Sequence, residues 1–512
     1  MTDAVGLSPS APPSAGAAGP YRWRWVALFV ILAAEVMDLL DSLVTNIAGP
    51  SIRQDIGGGE STIQWLGAAY TLAMAIGLIT GGRLGDIFGR RRMFMIGAAG
   101  FTLGSLACGL AQEPWQLIAA RVAQGLLGAV MLPQGLGIMK EIFSPKEQGA
   151  AFGMFGPVMG LSTVGGPILA GWLIDADFAG TGWRMIFLIN IPLGLFAFIG
   201  GRIFLPARAD GRTVRLDLVG ALLAAVGAAT VIYPLVQGRE NDWPLWAFAL
   251  LAVGVAVFGV FGWYEARRKA AGADPLVEPS LFAKRGFSGG MVLGLIFFTA
   301  MTGFWLTFSL YTQLGLHFTA LKSGLAGVPA SVGMVIAFVA SQALQRFGRK
   351  VMHAGLLVMV AGVLGLMYTL HSQGAAVTPW QTVPALAVAG LGMGLVMAPF
   401  FGMVLASVDA HETGSASGTL TAVQQLGGAL GSAILGTVFF ERLKTADFAS
   451  AEQITLWTEV GMLVAVFAAI FLLPKHARPE DGEGAPEGSG EGNDEESAAV
   501  PGPRKDGERQ PV

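Results

Sequence analysis

The feature that most constrains this chain is an apolar run that keeps returning. Stretches of about 18 or more apolar residues recur along all but the two ends, each long enough to cross ~30 Å of hydrocarbon as a helix. Mean hydropathy is +0.60. Only 13% of the 512 residues are charged, against roughly 25% in a soluble domain. The sequence therefore predicts an all-α integral membrane protein. Spans are expected at about 24–50, 62–82, 93–112, 115–140, 149–172, 183–205, 216–237, 244–264, 287–313, 322–344, 351–371, 380–407, 415–440 and 453–473.

The ends differ in kind. Residues 1–23 lack the basic region and apolar core of a signal peptide and read as a disordered lead. Residues 474–512 form an acidic tail. From Glu480 onward it holds 10 acids against 3 bases, is rich in Gly, Glu and Pro, and buries too little to fold. The single cysteine, Cys108, excludes an internal disulfide. An even number of spans puts both termini on one side. With the termini inside, the inner segments carry 25 Lys and Arg, the outer loops carry 6, and Arg121 lies within a span. That bias predicts cytoplasmic termini.

The chain also repeats itself. DIFGRRRMF (86–94) returns as QRFGRKVMH (345–353), and GAVMLP (128–133) returns as GLVMAP (394–399). Both matches fit two six-helix halves in parallel, 24–205 and 287–473, with two inserted helices and a cytoplasmic linker at 206–286. Parallel repeats are a transporter architecture with the substrate site near the midplane between the halves, although channels and membrane enzymes also contain repeats.

Four stretches carry candidate chemistry. EVMDLLDSLVTN (35–46) puts Glu35, Asp38 and Asp41 on one broad face of the first span, where each would cost about 2.5–3.5 kcal/mol if it faced lipid. LIAARVAQGLLGA (117–129) puts Arg121 inside the fourth span, at a depth compatible with Asp41, with Gln124 beside it; snorkelling to the interface is the alternative for the arginine. GGRLGDIFGRRR (81–92) reads as a conformational latch, with Gly82 and Gly89 permitting close approach and Asp86, Arg90 and Arg91 meeting charges or helix ends. Positive-inside anchoring would explain its arginines alone. GMFGPVMGLSTVGGPILAG (153–171) crowds Gly156, Gly160, Gly165, Gly166 and Gly171 with Pro157 and Pro167, which suits a kinked, closely packed helix.

These stretches resemble the fourteen-helix drug:proton antiporter branch of the major facilitator superfamily. GRLGDIFGRR is similar to its loop signature, LIAARVAQG to its helix-four signature, GLSTVGGPILAG to its antiporter signature and LDSLVTNIAGP (40–50) to its helix-one signature. GWRMIFLINIPLG, RLDLVGALL, YTQLGL and QQLGGALG match further stretches typical of the branch, so that the resemblance covers about 22–473. There are departures. Leu43, Gly49, Ile87 and Leu127 replace usual residues, and Gln345 stands where the second loop copy would carry an acid. The later spans read as lacking a central carboxylate, which argues against dicationic substrates.

The resemblance implies a secondary active transporter that exports hydrophobic drugs or antibiotic-like metabolites in exchange for protons, and not an enzyme. It implies Asp41 as proton carrier and Arg121 as its modulator; Asp38 and Glu35 join them on the physical argument alone. Making and breaking such a pair, or wetting and drying the site, moves a carboxylate's proton affinity across ambient pH. Candidate liners of a central cavity are Trp65, Tyr70, Gln124, Phe304, Trp305, Phe308, Tyr311 and Gln313. The histidines lack ligand spacing and no phosphate loop occurs, so no metal, cofactor or ATP-driven step is expected. The expected partners are protons, a small hydrophobic substrate and the lipid bilayer of a bacterial cytoplasmic membrane, with no nucleic acid, and the chain is expected to act as a monomer. A transporter of a sugar, amino acid or siderophore is the alternative, and a membrane-embedded lipid enzyme the more distant one.

Overall fold

A computed structural model of the chain describes residues 21–144, 147, 151, 154–206, 217–238, 241–273, 275–344, 347–374, 377–408 and 413–475. The lead before residue 21, the acidic tail from 476 onward and Gln345 lie outside the described residues. All regular structure within them is helical. The main helices are α1 (Arg24–Ile56), α2 (Glu60–Phe88), α3 (Arg90–Leu110), α4 (Pro114–Ile142), α5 (Phe155–Asp175), α6 (Gly182–Phe204), α7 (Leu218–Gln237) and α8 (Leu245–Ala270). They are followed by α9 (Arg285–Gly315, whose last turn is π-helical), α10 (Ala320–Leu344), α11 (Arg349–Gln373), α12 (Pro379–Leu405), α13 (Thr413–Leu443) and α14 (Phe448–Ile470).

Among the described residues eleven helices are long and apolar enough to cross a membrane, and α2 makes a twelfth if its bend is allowed. α1 has the length but carries Glu35, Asp38 and Asp41 along its apolar stretch. In α5 the qualifying apolar helix, Val164–Asp175, is short. The count of fourteen spans stays an expectation of the sequence.

Local chemistry explains several helix starts. Pro114 opens α4 at a position whose N–H would have no helical acceptor. Thr378 and Gln381 form a reciprocal capping box at the start of α12. Asp447 caps α14 by accepting the Ser450 N–H at 2.8 Å. Asp217 caps α7 from the Gly220 N–H at 2.9 Å and also accepts from Tyr264 at 3.0 Å. Arg268 pairs with it at 3.4 Å, tying the inserted helices together at one end.

Packing repeats with the sequence. In the first half α4 lies against α2 and α3, and α1 against α5 and α6; in the second half α12 lies against α10 and α11, and α9 against α13 and α14. Between the halves α2 packs on α13 and α5 on α10, contacts that exchange when each helix is replaced by its counterpart eight helices away. The inserted α7 and α8 pair with each other, and α7 touches α2 and α13. Small residues allow this closeness, since without a hydrophobic drive between helices in lipid, van der Waals contact holds them. A Cβ on Gly125 of α4 would stand 2.5 Å from the Tyr70 carbonyl oxygen of α2, so only glycine permits that approach.

Candidate functional site

The site lies where α1, α2, α3, α4 and α6 converge, and its centre is one ion pair. An Arg121 Nη1 donates to Oδ2 of Asp41. Both residues are buried, Arg121 at 0% exposure and Asp41 at 2%. Arg121 also donates from Nε to the Leu66 carbonyl at 3.1 Å and from Nη1 to Oε1 of Gln124 at 2.8 Å. The Leu66 bond exists because Gly125 lets α2 and α4 close up one turn further along.

The other Asp41 oxygen is held by two amides. Gln124 Nε2 donates to Oδ1 at 2.8 Å and Asn190 Nδ2 at 2.9 Å. Gln124 and Asn190 also reach Oγ of Ser105, at 2.8 Å and 3.2 Å, and the Cys108 thiol lies 3.6 Å from Gln124 Oε1. A buried carboxylate needs this much satisfaction, because a missing donor costs about 1–3 kcal/mol or more when the acceptor is charged. Arg121 is thus not a snorkelling side chain.

Asp38, one turn earlier on α1, belongs to the same cluster through Tyr70. The Tyr70 hydroxyl donates to Asp38 Oδ1, while the ring of Tyr70 lies under the Arg121 guanidinium at 4.1 Å. A cation over an aromatic face gains about 0.5–2 kcal/mol, more where water is excluded. Tyr70 therefore touches both acids' surroundings at once. Glu35 is only partly buried and makes no hydrogen bond or ion pair with the described residues.

Other candidate residues fall elsewhere. Tyr70 and Gln124, expected as cavity liners, are parts of the ion-pair cluster. Trp65 lies in the interface with the inserted helices, its ring 6.1 Å from Tyr233 of α7. Trp305 packs edge-on against Phe304 and Phe308, at centroid distances of 5.4 Å and 6.4 Å. Gln313 bridges the halves, donating to the Ile47 carbonyl of α1 at 2.9 Å. Tyr311 is buried at 1% exposure in the π-helical turn.

At the loop between α2 and α3, Gly89 takes φ of 90°, a conformation that strains any residue with a Cβ. That turn aims Arg90 at Asp86 (2.8 Å) and at Glu141 of α4 (2.9 Å), and Arg91 donates to the Arg202 carbonyl. Close approach here is not at Gly82, whose Cβ would find only ordinary contact with Pro133 at 3.7 Å. It is at Gly81 and Gly85, where a Cβ would meet the Ala129 carbonyl at 2.1 Å and the Gln134 side chain at 1.7 Å. In α5, Pro157 sits in the first turn, where it removes no helical hydrogen bond. Pro167 is the interior proline; its carbonyl oxygen would lie 2.3 Å from a Cβ on Gly324 of α10. Gly166 is buried, whereas a Cβ on Gly165 would meet nothing within 4 Å. The side chains near Gly156 and Gly160 lie outside the described residues.

The reading that the later spans lack a central carboxylate is corrected by α14. Glu452 and Glu459 are buried there at 0% and 1% exposure. They escape a sequence reading because the surrounding helix is only moderately apolar and no motif brackets them. Asn190 was equally hidden, although a lone amide in the run FLINIPLG is the kind of signal that marks it. Among the described residues no group of three or more His, Cys, Asp and Glu could hold a metal ion.

A multispan helical bundle with two packing halves and a buried, fully engaged acid–arginine pair in one of them is the build of a membrane transporter. The chain belongs to the Major Facilitator Superfamily, whose family model matches residues 31–264 and 212–432. It is a multi-pass membrane transporter and not an enzyme. It is 48% identical over 445 residues to a probable actinorhodin transporter of Streptomyces coelicolor, covering 86% of this chain and 77% of that protein. The puromycin resistance protein pur8 of Streptomyces alboniger is 36% identical, with 83% and 84% covered. The tetracenomycin C resistance and export protein of Streptomyces glaucescens is 32% identical, with 85% and 79% covered. Among solved structures, a POT family transporter in complex with a thioalcohol-conjugated peptide superposes with a TM-score of 0.64 over 87% of this chain and 96% of that one, at 15% identity. At that identity the likeness concerns the fold alone.

Proposed function

We propose that this protein exports a hydrophobic antibiotic or antibiotic-like metabolite across the bacterial cytoplasmic membrane in exchange for protons, acting as a monomer with both termini in the cytoplasm. The observation that carries the reading is the buried Asp41–Arg121 pair. Three relatives named for antibiotic transport, resistance or export support the substrate class. The excess of Lys and Arg in alternate loops supports the orientation.

Asp41 is the proton carrier. Arg121 holds its charge throughout, because a guanidinium does not deprotonate in proteins. Protonation of Asp41 breaks the pair and frees the guanidinium; loss of the proton restores it. Gln124 and Asn190 hold Asp41 in place in both states, and Asp38 accepts or passes protons beside Tyr70. Each charge carried across 100 mV supplies about 2.3 kcal/mol for export. Arg90, with Asp86, Glu141 and the strained turn at Gly89, clasps α2, α3 and α4 at one membrane face in this state and releases as the halves rock. α5 and α10 form the tightly sealed seam between the halves.

The test is efflux from everted vesicles with puromycin and actinorhodin as probes. Asp41→Asn is expected to abolish proton-driven efflux of a probe that the unaltered protein transports. Full-rate export by that variant with an unchanged pH profile would overturn the proton assignment. If neither probe, nor any compound in a resistance panel, is exported by the unaltered protein, the drug-export reading fails.

A further inference from the structure

We propose that Glu452 and Glu459 of α14 form a second proton-binding site, in the half of the protein that does not hold Asp41. The proposal extends the proton-coupled reading above, but its test requires no transport.

The two acids lie seven residues apart, so they share one face of α14 with about 10 Å between them along the axis. Glu459 is the twelfth of 23 residues and therefore sits near the middle of the helix. Among the described residues none of their four carboxylate oxygens has a hydrogen-bond partner. The Thr307 hydroxyl of α9 is within reach of Glu452; it also lies 3.4 Å from the Phe304 carbonyl, to which it donates. Thr455, between the acids, donates to the Ala451 carbonyl at 2.8 Å.

A second polar group points to the same place. The Tyr311 hydroxyl is buried without a partner among the described residues. It lies on the π-helical turn that packs against α14, within electrostatic reach of Glu452. A π turn in a helix often marks a functional position.

Among the described residues no cation offsets the pair. Against α14, α9 brings only Arg285, at its far end, besides Tyr311. α13 brings Glu441 and Arg442 in its last turn. α11 brings Arg349 and Lys350 in its first turn and Tyr368 and His371 near its end; His353 is wedged between Phe467 and Phe471, at 4.6 Å from each. Asp447 is engaged as the cap of α14. The burial of two ionised carboxylates with no fixed donor and no cation among the described residues is prohibitive. A bound proton on each is the ligand that removes that cost. Tyr311 then links the site to the end of α14 where Asp447 and Lys444 meet solvent. Exchange with water requires only that α14 and the π turn part.

The experiment is pH-difference infrared spectroscopy of the full chain in liposomes, in H2O and D2O. Protonated carboxyl groups give a C=O stretching band that shifts on deuteration. We expect that band at neutral pH in the unaltered protein, lowered in Glu452→Gln and in Glu459→Gln, and lowered further in the double variant, leaving only what the acids of α1 contribute. An undiminished band in the double variant, or no band in the unaltered protein, overturns the proposal. Glutamine keeps the shape of the side chain, and the two single variants carry the same comparison should the double variant not fold. A chain that exports none of the probes would still give this readout, so failure of the export reading is seen separately.

Discussion

Asn190 donates its side-chain amide to Oδ1 of Asp41 at 2.9 Å, joining α6 to α1 at the buried ion pair. Asn190→Ala leaves that oxygen one donor short. Loss of such a bond to a buried charge costs about 1–3 kcal/mol, which corresponds to an efflux rate lower by about fivefold or more. Asn190→Asp sets a second acid on Asp41 and is expected to be worse. Efflux from everted vesicles, normalised to protein abundance, checks both.

The ion pair itself separates stability from function. Arg121→Ala strands a buried carboxylate and is expected to destabilise the protein by about 3–5 kcal/mol. Asp41→Ala combined with Arg121→Ala removes both charges and is expected to recover most of the lost melting temperature in detergent. Transport does not return with it, because no proton carrier remains. Recovery of efflux in the double variant would remove Asp41 from the mechanism.

The seam between α5 and α10 offers a paired test. Gly324→Ala places a methyl 2.3 Å from the Pro167 carbonyl oxygen, a backbone atom that cannot swing aside. It is expected to cut export strongly. Gly165→Ala, two residues before Pro167, meets nothing within 4 Å and is expected to keep near-normal export. The ratio of the two rates in one vesicle assay is the measurement.

A pH-dependent contact lies at two helix ends, with Asp55 beyond the apolar stretch of α1. Asp55 pairs with Arg184 and accepts the Trp183 indole N–H at 3.0 Å. The bonds from Arg184, then Trp183, hold its carboxyl below the usual aspartate range. Stability from a lowered carboxylate is present above the unfolded value, near ~3.9 for aspartate, and is lost as pH falls through the folded value. Asp55→Asn is therefore expected to lower the melting temperature at neutral pH and to make no difference in strong acid. The Asp55 side chain is 47% exposed, so the effect stays below about 1 kcal/mol. Thermal scans across pH check it.

Much of the site was legible because charge in an apolar span is costly and therefore conspicuous. Asp41 and Arg121 could be set at compatible depths from helical rise, since both follow from counting residues, and the family resemblance singled them out. Tyr70 and Gln124 were visible as polar groups but assigned to a cavity, because which face of a helix meets which neighbour is not written in one helix. Trp65 illustrates the same limit: its partner, Tyr233, lies 168 residues away on an inserted helix. Glu452 and Glu459 were missed since the expected span began at 453 and no motif brackets either acid; only packing reveals them as buried.

By itself the sequence determined the helical class, the places of the helices and the kinship with its family, because apolar length and short signatures are local properties of the chain. It also determined that Asp41 and Arg121 sit at compatible depths, leaving burial of the arginine to the structure. The tertiary structure alone decided the partners: Asn190 and Gln124 on one oxygen of Asp41, Tyr70 between Asp38 and Arg121, and the close seam of α5 on α10. These depend on how helices distant in sequence rotate and approach one another, which small residues permit but do not specify until every helix is packed.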